Sequence, residues 1–310
     1  MILVTGPTGY VGRRIVTALA SRGYPFRCLI HTPSRSSFLQ LQNVETVEGD
    51  IMNPNSMVAA LRGVDTVIHL VAVIRKKGGS NFERVNHLGT RNTLKAAKEA
   101  GVKRFLHAST IGAADYPSIS YLHSRWLGEQ EVINSDIPFT ILRFSLGFGE
   151  GDEFFNVLAA LVKALPVVPV IGNGKARFQP IAVEEVAECF VRAYEDSSTI
   201  GKTIEIGGPE YLSYEEIIDL ISQTLNIRIA KVHVPVTLVR PLVKVMEVLT
   251  PHPPVTSEQL KMLKIDNITK LDAVEKNFGF RPMTIQGKLD YIKKISYLDA
   301  LKMNLGVMPT

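Results

Sequence analysis

Three glycines, Gly6, Gly9 and Gly12, stand three residues apart, directly after the apolar run Ile2-Leu-Val and at the mouth of a helical stretch. Glycines so spaced permit a tight turn and a close approach of backbone to an anion. The amides and dipole of the following helix favour negative charge at the same point. The chemistry this predicts is the binding of a pyrophosphate, such as that of a dinucleotide. A second constellation lies farther on. Tyr121 and Arg125 are four residues apart, about one helical turn, and so share a face. A guanidinium there can depress the phenol pKa, but it does not give up a proton near neutral pH. Ser109 and Thr110 supply hydroxyls upstream. His107 and His123 stand alone and are expected to be structural, no Cys/His cluster points to a metal, and no Ser-His-Asp order has support.

The elements that must position these residues follow from apolar rhythm. Short apolar runs at 1–5, 26–31, 44–49, 65–71, 103–109 and 138–144 read as strands buried on both faces. Helices are predicted at 10–22, 54–62, 82–100 and 118–135, with Asn53 capping before Pro54 and Gly101 as a stop. Strand, helix, strand, repeated, predicts an α/β fold, a Rossmann-type doubly wound parallel sheet. We expect residues 1–150 to be the dinucleotide-binding core, with later strands contributed from 175–210. Residues 151–310 are expected to be a smaller, mostly helical substrate part, with helices at 153–165, 184–196 and 213–225 and a short strand near 203–206.

The spacing Gly-x-x-Gly-x-x-Gly resembles the short-chain dehydrogenase/reductase superfamily, in its extended and atypical branches. The resemblance continues through Glu48-Gly-Asp50, Val67-Ile-His-Leu-Val-Ala72, Asn86-His-Leu-Gly-Thr90, Ala108-Ser-Thr110, Thr140-Ile-Leu-Arg143, Gly147-Phe-Gly149, Gln179-Pro-Ile-Ala-Val-Glu-Glu-Val-Ala187 and Ile206-Gly-Gly-Pro209. It covers about residues 1–225. It implies cofactor contacts from Gly6, Thr8, Gly9, Tyr10, Val11, Gly12, Asp50, Ile51, Leu70, Val71, Ala72, Asn86 and Phe144. It also implies a reaction in which Tyr121 exchanges a proton with the substrate oxygen, Ser109 or Thr110 orients that oxygen, and hydride is exchanged with the nicotinamide. Arg125 stands where the family keeps a Lys, which puts full activity in question. At the end of the second strand no carboxylate meets the ribose; His31, Ser34 and Arg35 suit a 2′-phosphate instead, so NADP(H) is expected over NAD(H).

The motif order is most similar to the atypical members related to the NAD(P)H-binding accessory subunit of respiratory complex I, including a looser likeness at 253–267. Two functions follow. One is an NADP(H)-dependent oxidoreductase, epimerase or dehydratase on an unknown small or nucleotide-linked substrate. The other is a dinucleotide-binding structural or assembly factor of a respiratory or other membrane complex, in which the cofactor stabilises the fold by mass action.

The chain of 310 residues has net charge +5, unevenly placed: residues 226–310 hold 13 Lys and Arg against 7 Asp and Glu, and the remainder 22 against 23. The basic excess, the apolar segment 234–249 and a predicted amphipathic helix at 286–302 (Leu289, Ile292, Ile295 and Leu298 on one side) allow contact with a membrane surface or membrane complex. The expectation is that both apolar surfaces turn inward as core or lid. No apolar run approaches the ~20 residues of a span, and no basic leader precedes Ile2. The expected location is cytoplasmic, peripheral at the inner membrane face if the basic part is used. Cys28 and Cys189 lie in apolar surroundings and are expected to be reduced thiols. Pairing through the helices at 82–100 and 118–135 is an option for a homodimer. Nucleic acid is not expected, because the basic residues are not interleaved with aromatics.

Overall fold

The computed structural model describes residues 1–31, 38–39, 44–75, 81–250 and 252–307. In chain order the first elements are β1 (Ile2–Thr5), α1 (Tyr10–Ser21), β2 (Phe26–Ile30), β3 (Glu45–Glu48), α2 (Pro54–Ala60) and β4 (Thr66–His69). A π-helical turn at Glu83–Leu88 runs into α3 (Gly89–Glu99), followed by β5 (Arg104–Thr110), α4 (Ser120–Ile133) and β6 (Phe139–Phe144). Then come β7 (Gly147–Phe148), α5 (Phe154–Ala164), β8 (Val167–Ile171), β9 (Arg177–Phe178), β10 (Ile181–Ala182), α6 (Val183–Glu195) and β11 (Lys202–Ile206). The last are β12 (Leu212–Ser213), α7 (Tyr214–Leu225), β13 (Ala230–Val234), α8 (Val236–Leu249), α9 (Ser257–Met262), α10 (Ala273–Phe278) and α11 (Tyr297–Asn304).

Two compact units result: Met1–Phe144 with Val183–Ile206 and Ala273–Phe280, and Ser145–Ala182 with Gly207–Asp272 and Arg281–Thr310. In the first, seven strands in the order β11-β6-β5-β4-β1-β2-β3 form one sheet, parallel throughout. The order reverses between β1 and β4. This is the switch point at which open α/β sheets present a crevice beyond the strands' carboxyl ends. β1, β2 and β4 are buried along their whole length, which is why their sequences are mostly apolar, with the buried Arg27, Thr66 and His69 as the polar exceptions beside Thr5. The Asn53 side chain accepts from Asn55 N (3.2 Å) and starts α2 at Pro54. Gly101, at φ +73°, ends the turn after α3. Phe105, Met57, Leu94 and Ile141 centre one core face. Cys28 is buried here and free, its thiol pushed up to about 12 by desolvation, so it is unreactive at neutral pH.

The second unit packs α5 and α7 around Phe155, Leu158, Val168, Val170, Ile217 and Ile221. Leu289 and Ile292 join this core from a 3₁₀ turn at Asp290–Lys294, and not from a continuous helix over 286–302. Ser296 takes an extended conformation and its side chain accepts from Asp299 N (3.1 Å), so α11 begins afresh at Tyr297 and Leu298 faces solvent. The inward placement expected for 234–249 fails as well. α8 buries only Val243, and Leu238, Leu242, Val245, Val248 and Leu249 are exposed.

Asp152 is buried in this unit, with Tyr291 Oη donating to its carboxylate and Phe155 N donating to Oδ1 (2.7 Å). Burial outweighs these bonds and pushes its pKa up to about 6. The unfolded acid ionises near pH 3.9. Between those values the native state holds a proton that the unfolded chain lacks, so stability falls as pH rises and levels off above the native value. Asp152→Asn removes this decline. The stability of the variant relative to wild type should therefore rise by about 2 kcal/mol from pH 4 to pH 7, read by urea denaturation at each pH. A pH-independent difference would mean that Asp152 is ionised in the native state.

Candidate active site

The glycine loop leaves β1 at Gly6, whose φ of +75° suits only glycine without strain, and Gly9 N closes the turn on Gly6 O (3.2 Å). A side chain on Gly12 would overlap Gly6 O and stand 2.9 Å from Pro7 Cα, so helix and loop touch backbone to backbone. The loop therefore brings the first amides of α1 to the carboxyl end of β1 with nothing larger than hydrogen between them. Thr8 and Tyr10 flank it, Thr8 O accepting from Arg13 Nε (3.2 Å). Val11 is partly exposed beside them.

At the next strand ends, His31 follows β2 and is largely exposed, with Nε2 3.6 Å from Asp50 Oδ2. Asp50 Oδ1 accepts from Met52 N (2.9 Å), which holds the carboxylate beside the end of β2. Ser34 and Arg35 lie outside the described residues. Ile51 is buried against Gly89 in the core. Leu70 and Val71 are half-buried and Ala72 exposed, following β4, where Leu70 N donates to Thr5 O (3.1 Å). Phe144 ends β6, opposite Thr110 and Ile206.

Asn86 has a different task from the cofactor contact its motif implies. It is fully buried; its Oδ1 accepts from Val73 N (2.8 Å), and Nδ2 donates to Val73 O (3.1 Å) and Ser124 Oγ (3.1 Å). Both amide hydrogens are thereby used within the protein. Ser124 Oγ in turn donates to Tyr121 O (2.7 Å). Asn86 is a positioning residue that ties the chain after β4 to the first turn of α4.

One face of α4 carries Tyr121, Arg125 and Glu129, a turn apart. The Tyr121 hydroxyl is hydrogen-bonded to the Thr110 side chain, and its ring packs edge-on against Phe82 (centroids 5.8 Å). Burial pushes the phenol above its ordinary value, while Arg125 and the Thr110 bond pull it down. Arg125 is buried, its Nη2 donates to Ala108 O near the end of β5, and its Nε and Nη1 are enclosed without an acceptor among the described residues. Desolvation lowers the guanidinium from its ordinary value and Tyr121 and Glu129 oppose this; it starts so high that it remains a cation. Glu129 does not neutralise it, because its carboxylate is engaged by Arg143 (Nε–Oε1 2.8 Å) and by Ser109 Oγ.

Ser109 and Thr110, paired as alternatives by sequence, thus part company. The two hydroxyls meet different turns of α4. Thr110 reaches Tyr121, and Ser109 is buried against Glu129. The role implied for Ser109 is corrected to a structural one. Ser109→Ala should cost about 1.5–3 kcal/mol by urea denaturation, as a hydrogen bond to a buried charge is lost. Thr110→Val should leave stability nearly unchanged and depress turnover. The opposite pattern would reassign the hydroxyls.

Sequence reasoning missed Glu129 and Arg143, although the Tyr-x₃-Arg-x₃-Glu spacing of one helix face was there to be read. Beneath Arg125, His69 and His107 stack on adjacent strands (centroids 5.5 Å). His69 sits between Thr5 Oγ1 (2.8 Å) and Thr90 Oγ1 (3.2 Å). Burial, with Arg125 adding to it, lowers His69 to about 3 and His107 well below the ordinary imidazole range, so both are neutral. His123 stacks on Trp126, 3.3 Å from Asp115. Asn81, Phe82, Glu83, Pro117, Ser120, His123 and Ser124 line a cavity of about 310 Å³ around the start of α4. Among the described residues no group of His, Cys, Asp and Glu is placed to hold a metal.

A nicotinamide dinucleotide suits these residues on two counts. The loop is closed to any Cβ at Gly12, leaving backbone amides at the strand end, and Arg125 holds two buried donors without an acceptor. Comparison with known proteins agrees. The family model described as NAD dependent epimerase/dehydratase matches residues 2–207. Subunit 9 of the NADH dehydrogenase [ubiquinone] 1 alpha subcomplex of Arabidopsis thaliana mitochondria is 30% identical over 70% of this chain and 56% of that protein. A ceramide reductase of Caulobacter vibrioides is 34% identical over 60% of this chain and 58% of that protein. This chain thus spans little more than half the length of either relative. The crystal structure of gox2253 matches over 100% of this chain and 99% of its own, with a TM-score of 0.75 and 25% identity.

Proposed function

Because the chain belongs to the NAD dependent epimerase/dehydratase family, we propose that its first unit binds NADP(H) and that Tyr121 passes a proton to or from the oxygen of a small or nucleotide-linked substrate. The observation that carries this reading is Tyr121 bonded to Thr110 beside a buried, unneutralised Arg125. A nicotinamide dinucleotide held by the Gly6–Gly12 loop would supply hydride-transfer chemistry at the substrate carbon. In the reducing direction Tyr121 gives its proton to the carbonyl oxygen, Thr110 orients that oxygen, and the Arg125 charge stabilises the tyrosinate left behind. The tyrosinate is reprotonated from solvent, since Arg125 does not release a proton.

Phosphate contacts are assigned to the Gly6–Gly12 loop, and contacts along the cofactor to Asp50, Leu70, Val71, Ala72 and Phe144. His31, with Arg35, is assigned to a 2′-phosphate, because β2 ends without a carboxylate of its own. Asp50, close to His31, is the residue that would favour NAD(H).

A second reading has a specific observation behind it. Arg125 is bound to the Ala108 carbonyl and cannot act in a proton relay, which suits a dinucleotide held for structure in a membrane complex. One of its relatives is named as a subunit of such a complex. In that reading the basic C-terminal part, residues 226–310, makes the peripheral contact.

Mass spectrometry of the nucleotide released from freshly purified protein tests the first proposal, followed by hydride exchange from stereospecifically labelled NADPH into a metabolite extract. NADP(H) with label transfer supports the enzyme. NADP(H) without transfer, and no gain in Arg125→Lys, supports the structural reading. NAD(H) instead overturns the assignment of His31 and Arg35, and no nucleotide binding overturns both readings.

A further inference from the structure

Arg125 and Glu129 are opposite charges one turn apart on α4, both buried, at the spacing that ordinarily pairs them along a helix. They are nevertheless kept apart. Arg125 donates to Ala108 O, and its Nε and Nη1 find no acceptor among the described residues. Glu129 is drawn the other way. Arg143, from β6, grips both of its oxygens, Nε on Oε1 (2.8 Å) and Nη2 on Oε2, and Ser109 Oγ donates to Oε1. A planar guanidinium fork on a carboxylate fixes direction as well as distance. The Glu129 side chain is 1% exposed, so solvent does little to loosen the grip. Arg143 is steadied from its far side by Glu205 of β11 (Nη1–Oε1 3.7 Å).

The arrangement bears on Tyr121. The groups that face its hydroxyl are Thr110 from β5 and Arg125 from its own helix, and its ring meets Phe82. Facing Arg125 from the sheet are His107 of β5 and His69 of β4, both buried and neutral. Along the helix it faces Tyr121 and Glu129. Among the described residues Glu129 is therefore the carboxylate placed to cancel the Arg125 charge, and Arg143 holds it turned away.

We propose that Arg143 is a positioning residue of this site: its fork keeps Glu129 off Arg125 and so leaves the guanidinium charge to Tyr121. Without the fork, Ser109 alone offers one hydroxyl to a buried carboxylate that can accept about four bonds. The donors one turn away are Nε and Nη1 of Arg125. Their pairing with Glu129 neutralises the cation and makes tyrosinate harder to form. What the charge does for proton transfer rests on the reading of Tyr121 given above; the control of the charge by Arg143 does not.

The test is titration of the Tyr121 hydroxyl in the full chain, which needs neither substrate nor nucleotide. Tyrosine is replaced by 3-fluorotyrosine, a more acidic phenol, and the fluorine resonance of residue 121 is identified by its loss in Tyr121→Phe. Arg143→Met should raise the midpoint by about one pH unit, so that tyrosinate at a given alkaline pH falls about tenfold. Adding Glu129→Gln to Arg143→Met should bring the midpoint back to within about 0.3 of wild type, a twofold change. Arg143→Lys, which keeps the charge and loses the fork, should lie between wild type and Arg143→Met. A rise that persists in the double variant would mean that the Arg143 charge acts on Tyr121 directly, and overturns the proposal. So does a folded Arg143→Met with an unmoved midpoint. A wild-type phenol that does not titrate before the chain unfolds overturns it too, because Arg125 would then not be holding the phenol down. Should Arg143→Met fail to fold, with a buried carboxylate left unpaired, Arg143→Lys with and without Glu129→Gln carries the same comparison. A rise in the first that the second cancels supports the clamp, and equal midpoints overturn it. Turnover is measured on the same samples. The expected shifts in a chain without turnover uphold the clamp while the enzymatic reading fails; turnover with an unmoved midpoint does the reverse.

Discussion

Gly12→Val should abolish dinucleotide binding, with NADPH affinity reduced at least 100-fold by calorimetric titration. Any Cβ at this position would overlap Gly6 O and press on Pro7 Cα. Both are backbone atoms, which cannot swing aside as a side chain would. Either the helix start withdraws from the loop or the turn at Gly6 opens, and in both cases the amides no longer converge on one anion. A variant could lose binding by failing to fold, and Gly9→Ala separates the two causes. A Cβ on Gly9 meets only Gly6 O, at 3.4 Å, an ordinary contact. Its thermal midpoint should match wild type, so a loss of affinity there reports crowding of the ligand and not of the loop. Affinity within threefold of wild type in Gly12→Val would remove the phosphate role from this loop.

Tyr121→Phe should lower turnover about 10²- to 10⁴-fold, the usual contribution of a positioned proton donor, and leave NADPH affinity within about twofold. The ring contact with Phe82 survives the substitution and only the hydroxyl bonded to Thr110 is lost, so the effect is confined to chemistry. The pH dependence carries an independent sign. Burial holds the phenol above its ordinary value, with Arg125 working against that shift. The donor therefore stays loaded through neutral and mildly alkaline pH, and the reducing direction should be flat there. The oxidising direction needs the tyrosinate and should accelerate as pH rises. Arg125→Met removes the largest influence that lowers the phenol and should move the oxidising limb to still higher pH. An unshifted limb would show that Arg125 does not act on Tyr121. Turnover unaffected in Tyr121→Phe would remove the proton-donor role from Tyr121.

Much of the first unit was legible in sequence because its signals are local. Strands buried on both faces must be apolar runs, Asn53-Pro54 caps a helix by itself, and the glycine spacing is meaningful once a strand precedes and a helix follows it. The break at Ser296 was also local: Ser296 followed three residues later by Asp299 is a helix-start signal, and the apolar periodicity of Leu289, Ile292, Ile295 and Leu298 masked it. The site's inner wiring was not local. Asn86 meets Val73 and Ser124, and Glu129 meets Ser109 and Arg143, through the packing of α4 on the π-helical turn and on β5.

The sequence by itself determined the sheet, the phosphate loop, and the presence of a tyrosine and a cation one helical turn apart, since each is written in residues close along the chain. Only the tertiary structure decided which hydroxyl meets that tyrosine, that Asn86 serves the protein's own backbone, and that the α8 stripe faces outward. Those outcomes depend on which surfaces lie opposite one another. An apolar stripe has the same spacing whether protein covers it or not, and the packing of residues far apart in the chain decides the matter.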